Sequence, residues 1–157
     1  MTLPDGAGAT TQIDHLLLSP YGIFVIETKN YKGWIFASAR QKQWTQKIYK
    51  NSYTFQNPIH QNYKHIKVLE QLLTDIVEPD LLHSVIVFMP DAVFKTPMPN
   101  EVFRGAAWTD YVKSFDQQMI SETKLKRIQL RLEKELLEKF WKTNRKHVES
   151  LKQHKQP

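Results

Sequence analysis

Asp14, Glu27 and Lys29 are the residues whose types and spacing suit chemistry, in the pattern Asp-x12-Glu-x-Lys. Two carboxylates brought together repel each other unless something positive lies between them. A divalent cation meets that need. A hard ion such as Mg2+ (or Mn2+) takes one or two carboxylate oxygens and keeps several waters, and one such water can be delivered to a phosphodiester. Lys29 would polarise the attacking water or stabilise charge on the pentavalent phosphate. Gln12 would hold a water, or the lysine, in place.

A hairpin has to position these groups. Two apolar runs flank Ser19-Pro20-Tyr21-Gly22, which reads as a turn between strands. With Pro20-Tyr21 as the loop, Ser19 faces Gly22, Leu18 faces Ile23 and Leu16 faces Val25. The same register sets Asp14 opposite Glu27 and Gln12 opposite Lys29, all on one face because side chains alternate along a strand. Glu-x-Lys on an exposed strand is usually a solvated charge pair. Here Ile23, Phe24, Val25 and Ile26 are apolar on both faces, which predicts a central strand, and buried strands rarely carry charge without a partner.

The chain resembles the nuclease-related domain family in Gln12-Ile-Asp-His15, Ser19-Pro-Tyr-Gly-Ile-Phe-Val-Ile-Glu-Thr-Lys-Asn30, Gly33-Trp-Ile35, Trp44 and Gln56-Asn-Pro-Ile-His-Gln-Asn62. The match runs from about Gln12 to the mid-110s. That family is grouped with the restriction-endonuclease-like, PD-(D/E)xK superfamily. The resemblance implies an α/β fold, a mixed β-sheet flanked by helices, with a metal-dependent DNA-cleaving core. Carried over by position, it implies Asp14 and Glu27 as metal ligands, Lys29 and Gln12 beside them, and Asn57 and Gln61 as accessory polar residues. The family begins with a helix that adds a further Glu to the site. No counterpart of that helix is legible before Gln12, so the expectation is a truncated gene start or an element supplied by another chain.

The remaining chain predicts how this core is built. Met1 to Thr11 reads as a flexible lead-in, residues 12–120 as the nuclease-related domain, and residues 121–157 as a basic helical extension and tail. Trp34–Ala37 and Gln43–Tyr49 predict two more strands of the same sheet. Asn57 caps a helix with Pro58 at its first position, and that helix runs to about Thr74. Ile59, Ile66, Leu69 and Leu73 form its buried stripe, with Gln61, Lys64, His65 and Val68 beside it. Lys64 is read as solvated, and His60 and His65 lack a second ligand at metal spacing. The apolar run Val85–Met89 predicts a strand buried on both faces and parallel to its neighbour. Glu101–Arg104 predicts a last strand. Thr109 would cap a helix over 110–115, and Ser121 begins another with Leu125, Ile128, Leu132, Leu136 and Leu137 or Phe140 inward. Beyond Trp141 the reading is a frayed helix or a disordered tail.

Composition narrows the function. The 157 residues suffice for one domain with a core. Zero cysteines exclude disulfides and thiolate metal sites. No apolar run is long enough for a bilayer and Met1–Asp5 lacks signal-peptide features, so the expectation is a cytoplasmic protein without membrane partners. Residues 121–157 hold 11 Lys/Arg against 5 Asp/Glu, so the whole +6 lies there. A basic segment beside a neutral domain suggests nucleic acid, with Lys124, Lys126, Arg127 and Arg131 as the DNA-contacting candidates. Aromatics Trp34, Trp44 and Tyr49 read first as packing residues and second as base-stacking ones. The leading reading is a Mg2+-dependent DNA endonuclease or phosphodiesterase. Its alternatives are a catalytically incomplete nucleic-acid-binding module and a homodimerisation module using an exposed sheet edge.

Overall fold

The computed structural model describes the backbone of residues 1–4 and 10–153 and the side chains of residues 1–3 and 11–138. In chain order the elements are β1 (Thr2–Pro4), β2 (Thr10–Gln12), β3 (His15–Ser19), β4 (Gly22–Lys29), β5 (Gly33–Phe36), β6 (Gln43–Ile48), β7 (Asn51–Gln56), α1 (Pro58–Leu73), β8 (Leu82–Phe88), β9 (Ala92–Phe94), β10 (Val102–Arg104), α2 (Ala107–Lys113) and α3 (Glu122–Gln153). The architecture is α/β and consistent with a restriction-endonuclease-like sheet.

The main sheet has the order β10-β8-β4-β3. β3 and β4 are antiparallel with Ser19 opposite Gly22, Leu18 opposite Ile23 and Leu16 opposite Val25, as the hairpin reading requires. β8 runs parallel to β4, joined to it through the crossover helix α1, and β10 runs parallel to β8. β4 is buried from Gly22 to Glu27, so both of its faces need apolar cover. Ile23 and Val25 pack with Leu69, Leu73, Ile128 and Leu132 of α1 and α3. Phe24 and Ile26 pack on the opposite side with Val85 and Val87 and, around them, Trp108, Tyr111 and Phe115. Each such side chain contributes about 1.5–3 kcal/mol on burial, enough to hold a polar strand end in a fixed place.

β5 and β6 do not extend this sheet. They form a second one with β7 and β9, ordered β7-β6-β5-β9. Its inner face, Ile35 and Trp44, packs on Ile86 and Phe88 of β8, and Trp44 stacks on Phe88 at 6.1 Å and 11°. The break falls at Gly33, whose φ is +81° and where a Cβ would lie 2.6 Å from the Lys47 carbonyl oxygen. Gly33→Ala is therefore expected to destabilise the protein by more than about 1 kcal/mol, read as a lower urea midpoint with an unchanged slope.

Several local expectations are corrected. Thr2–Pro4 pairs with Thr10–Gln12, and Leu3 is fully buried, so the start of the lead-in is part of the fold; residues 5–9 lie outside the described ones. The buried positions of α1 are Pro58, Asn62, His65, Leu69 and Leu73, a stripe that takes in two polar residues and leaves Ile59 and Ile66 at its margin. Thr109 sits inside α2 and donates to the Ala106 carbonyl, so it caps nothing. α3 continues past Trp141 to Gln153; residues 154–157 are not among those described, nor is the side chain of Phe140. Ile128 and Leu132 of α3 are buried, whereas Leu136 and Leu137 are exposed. Among the described residues no helix is long and apolar enough to cross a membrane.

Candidate active site

The C-terminal end of β4 brings the candidate residues against α1. Glu27 shares the face of Ile23 and Val25, which looks toward α1, and is 2% exposed. Lys29 Nζ donates to Glu27 Oε1 at 2.7 Å and to Gln61 Oε1 at 2.9 Å. Glu27, Lys29 and Gln61 thus form one connected set across strand and helix. The other Glu27 oxygen, Oε2, is buried without a partner. Burial pushes the Glu27 carboxyl above its ordinary range; Lys29 opposes this and Asp14 adds to it.

Asp14 belongs to the same corner but not in the expected pose. β3 begins at His15 and Asp14 sits in a bend. Its Oδ2 accepts from the Thr28 backbone N–H at 3.0 Å and from Thr28 Oγ1 at 2.8 Å, which draws the carboxylate toward Thr28. Burial would raise its proton affinity, but the two Thr28 bonds and nearby Lys29 outweigh it and hold Asp14 below the usual range. The pair is therefore split by its surroundings: Asp14 favours the ionised form and Glu27 resists it.

Gln12 is corrected. It lies on β2, is paired with Thr2 rather than Lys29, and its side chain is exposed. Asn57 stands apart from the cluster as well. Its Oδ1 accepts from the Ile59 N–H at 2.9 Å, capping α1, while its Nδ2 donates to the carbonyls of Ser38, Ala39 and Gln41, the last at 2.7 Å. Asn57 locks the β5–β6 loop to the start of α1, which places Gln61 one turn later. Asn57→Asp keeps the cap but replaces the donor with a charge facing three carbonyls. It is expected to cost at least as much stability as Asn57→Ala, about 1–3 kcal/mol, although Asp and Asn are equal as caps; thermal melts of the two variants decide it.

Two further polar residues belong to the site: His65, read from sequence as lacking a second ligand at metal spacing, and Asn62, which the sequence reading does not single out. His65, 3% exposed, lies one turn beyond Gln61, close enough to Asp14 and Lys29 for both to act on its proton affinity. Burial lowers that affinity, and Nδ1 has no partner. Asn62, fully buried, donates to the Val25 carbonyl and to Ser84 Oγ, both at 2.8 Å, and ties α1 to β4 and β8. Their signal was positional: both lie on the stripe that continues into Leu69 and Leu73.

The basic candidates of α3 lie elsewhere. Lys124, Lys126 and Arg127 are exposed. Arg131 is spent on docking the helix, with Nη1 and Nη2 on the Asp75 carboxylate at 3.0 and 2.9 Å and Nη1 on the Leu72 carbonyl at 2.9 Å.

A family model described as the nuclease-related domain matches residues 1–89, a span that contains Asp14, Glu27, Lys29, Gln61 and His65 and ends one residue after β8. An uncharacterized protein of Bacillus anthracis is 56% identical over 66 residues, which are 42% of this chain and 31% of that protein. The chain thus spans under a third of that relative's length. No solved structure gives a significant match.

Proposed function

Because the chain belongs to the nuclease-related domain family, we propose that it is a metal-dependent DNA endonuclease, or a DNA-processing phosphodiesterase, working at the end of β4. The observation that carries this reading is the buried Glu27 oxygen without a partner, set beside Asp14 and the Lys29–Gln61 pair. An unpaired buried polar atom costs about 1–3 kcal/mol, and more when charged. A cation would give it a partner.

The donor set tells which kind of cation fits. Among the described residues no three His, Asp or Glu side chains converge, unlike a zinc site with three or four protein ligands. Two carboxylates suit a hard, hydrated ion such as Mg2+ or Mn2+. When bound, such an ion supplies positive charge at the scissile phosphate and lowers the pKa of a water. Asp14 and Glu27 would hold it. Lys29 carries an ammonium oriented by Gln61 toward the same corner, where it stabilises negative charge gathering on the phosphate oxygens. His65 places a buried ring nitrogen, Nδ1, without a partner beside Asp14.

Calorimetric titration of Mn2+ and Mg2+ into the parent and Glu27→Ala, followed by plasmid nicking in the same buffers, tests the proposal. Binding lost in the variant, with nicking by the parent alone, is the expected result. Salt-sensitive DNA binding with neither metal binding nor nicking would replace it by a catalytically incomplete binding module. A dimer formed through β3, which is an edge of the main sheet, would favour the dimerisation reading.

A further inference from the structure

The balance of charge over residues 1–120 conceals a strong asymmetry. Residues 28–69 carry 8 Lys/Arg and no Asp or Glu, while residues 1–27 and 70–120 together carry 3 Lys/Arg and 11 Asp/Glu. The acid-free stretch is the second sheet from β5 to β7 and most of α1. Phosphate is the ligand class such a segment attracts.

The outer face of that sheet adds aromatic surface. Ile35, Trp44 and Ala92 turn inward, so their strand neighbours turn out. The register aligns Val93, Trp34, Lys47 and Ser52 in one cross-strand row and Phe36, Thr45 and Thr54 in the next. Trp34 is 46% exposed, and Phe36 and Val93 are exposed beside it. The ammonium of Lys95 lies 4.4 Å from the Trp34 ring centre and that of Lys47 5.8 Å. At the β6–β7 turn a groove of about 510 Å³ runs between Lys32, Trp34, Lys47 and Tyr49. Tyr49 is 95% exposed at a φ of 52°. Lys32 is three residues along the chain from Lys29.

We propose that the outer face of the second sheet binds single-stranded nucleic acid, with Trp34 stacking on a base and Lys32, Lys47 and Lys95 contacting the flanking phosphates. An open sheet face with an exposed indole and adjacent ammoniums offers both contacts that an unpaired strand makes, ring stacking and phosphate neutralisation. Duplex bases present no free ring face, so a duplex gains the second contact alone. The lysine resting on the indole moves from a cation–π contact to a phosphate, while the base takes its place on the ring. The surface is separate from the carboxylate site and needs no metal.

The test uses the full chain in EDTA, with fluorescein-labelled dT15, an abasic 15-mer and a 15-base-pair duplex as probes. Anisotropy is expected to rank dT15 tightest. Trp34→Ala should weaken dT15 by between about 5- and 150-fold and leave the abasic strand unchanged, while Trp34→Phe keeps most of the affinity. Lys47→Ala/Lys95→Ala should reduce the slope of log K against log salt by about 1.4. A parent-like circular dichroism melt for Trp34→Ala confirms that the half-exposed site was altered without unfolding. Equal binding of dT15 by parent and Trp34→Ala, or equal binding of all three probes by the parent, overturns the proposal. Nicking by a parent whose dT15 binding ignores Trp34 would sink this surface and spare the nuclease reading. Trp34-dependent binding without nicking would do the reverse.

Discussion

A plasmid incubated with Glu27→Ala in Mg2+ is expected to stay supercoiled under conditions in which the parent nicks it, a loss of at least about a thousandfold. Glu27 supplies the buried oxygen that a cation would pair with and holds Lys29 through a 2.7 Å bond, so truncation removes a ligand and releases the ammonium together. Glu27→Gln separates the two losses, since it keeps the shape and still accepts from Lys29. It should be nearly as inactive if the charge is what matters. Asp14→Ala should also abolish nicking, with a cost to folding of its own. Repulsion across the hairpin would make either truncation neutral or stabilising. The two Thr28 bonds to Asp14 reverse that for Asp14, whose loss leaves the partly buried Thr28 N–H and hydroxyl without their acceptor. In metal-free buffer Asp14→Ala should melt below the parent, and so should Glu27→Ala, because it strips the Lys29 ammonium of its 2.7 Å partner. Nicking that survives in both variants would mean that the reacting centre lies elsewhere.

Much of this corner was legible because the hairpin obeys local rules. A two-residue loop and period-two alternation suffice to align Leu16 with Val25 and to turn Glu27 and Lys29 toward the helix face. The alignment failed where the alternation stopped. Asp14 leaves the ladder to bind Thr28, and the chain then crosses to pair Gln12 with Thr2; no propensity in Gln12-Ile13-Asp14 marks that departure. His65 and Asn62 escaped for a different reason. A helix stripe is read by its apolar members, and a stripe that covers a charged strand end has to include polar ones. Gln61 follows from the family resemblance, whereas His65, one turn on, has no second ligand at metal spacing to mark it.

The second sheet shows the same limit at longer range. β5 and β6 were recognisable as strands, but strand identity does not say which sheet a strand joins. That choice was made by Gly33, where only a residue without a Cβ can pass the Lys47 carbonyl, and by β9, a three-residue strand that pairs with β5 from 59 positions away. Charge was misplaced through summing. The excess in residues 121–157 is real, yet its Arg131 is spent on Asp75, and the equal totals before it hide the acid-free sheet. A shorter window, residues 28–69, shows that segment in the sequence itself.

Lys29→Met should lower stability at pH 7 by about 3 kcal/mol, the low end of what removing one partner of a buried pair costs, because Lys29 itself retains 15% side-chain exposure against 3% for Glu27. The pH dependence of that loss identifies its origin. Glu27 already has a raised pKa in the folded protein, and Lys29 is the largest influence opposing the rise, so the variant should raise it further. A carboxyl whose folded pKa exceeds its unfolded value contributes stability that is complete below the unfolded pKa and is lost as pH climbs through the folded one. The deficit of Lys29→Met relative to the parent should therefore be small near pH 4 and grow toward pH 7. Glu27→Gln/Lys29→Met should recover most of the neutral-pH loss, since no buried charge is left alone. Added Mn2+ should recover part of it in Lys29→Met and none in the double variant, because a cation bound by Glu27 substitutes for the missing ammonium. Urea midpoints of the three proteins at pH 4 and pH 7, with and without Mn2+, measure all of these together. A deficit independent of pH would show that Lys29 acts by packing its aliphatic stem and not by its charge.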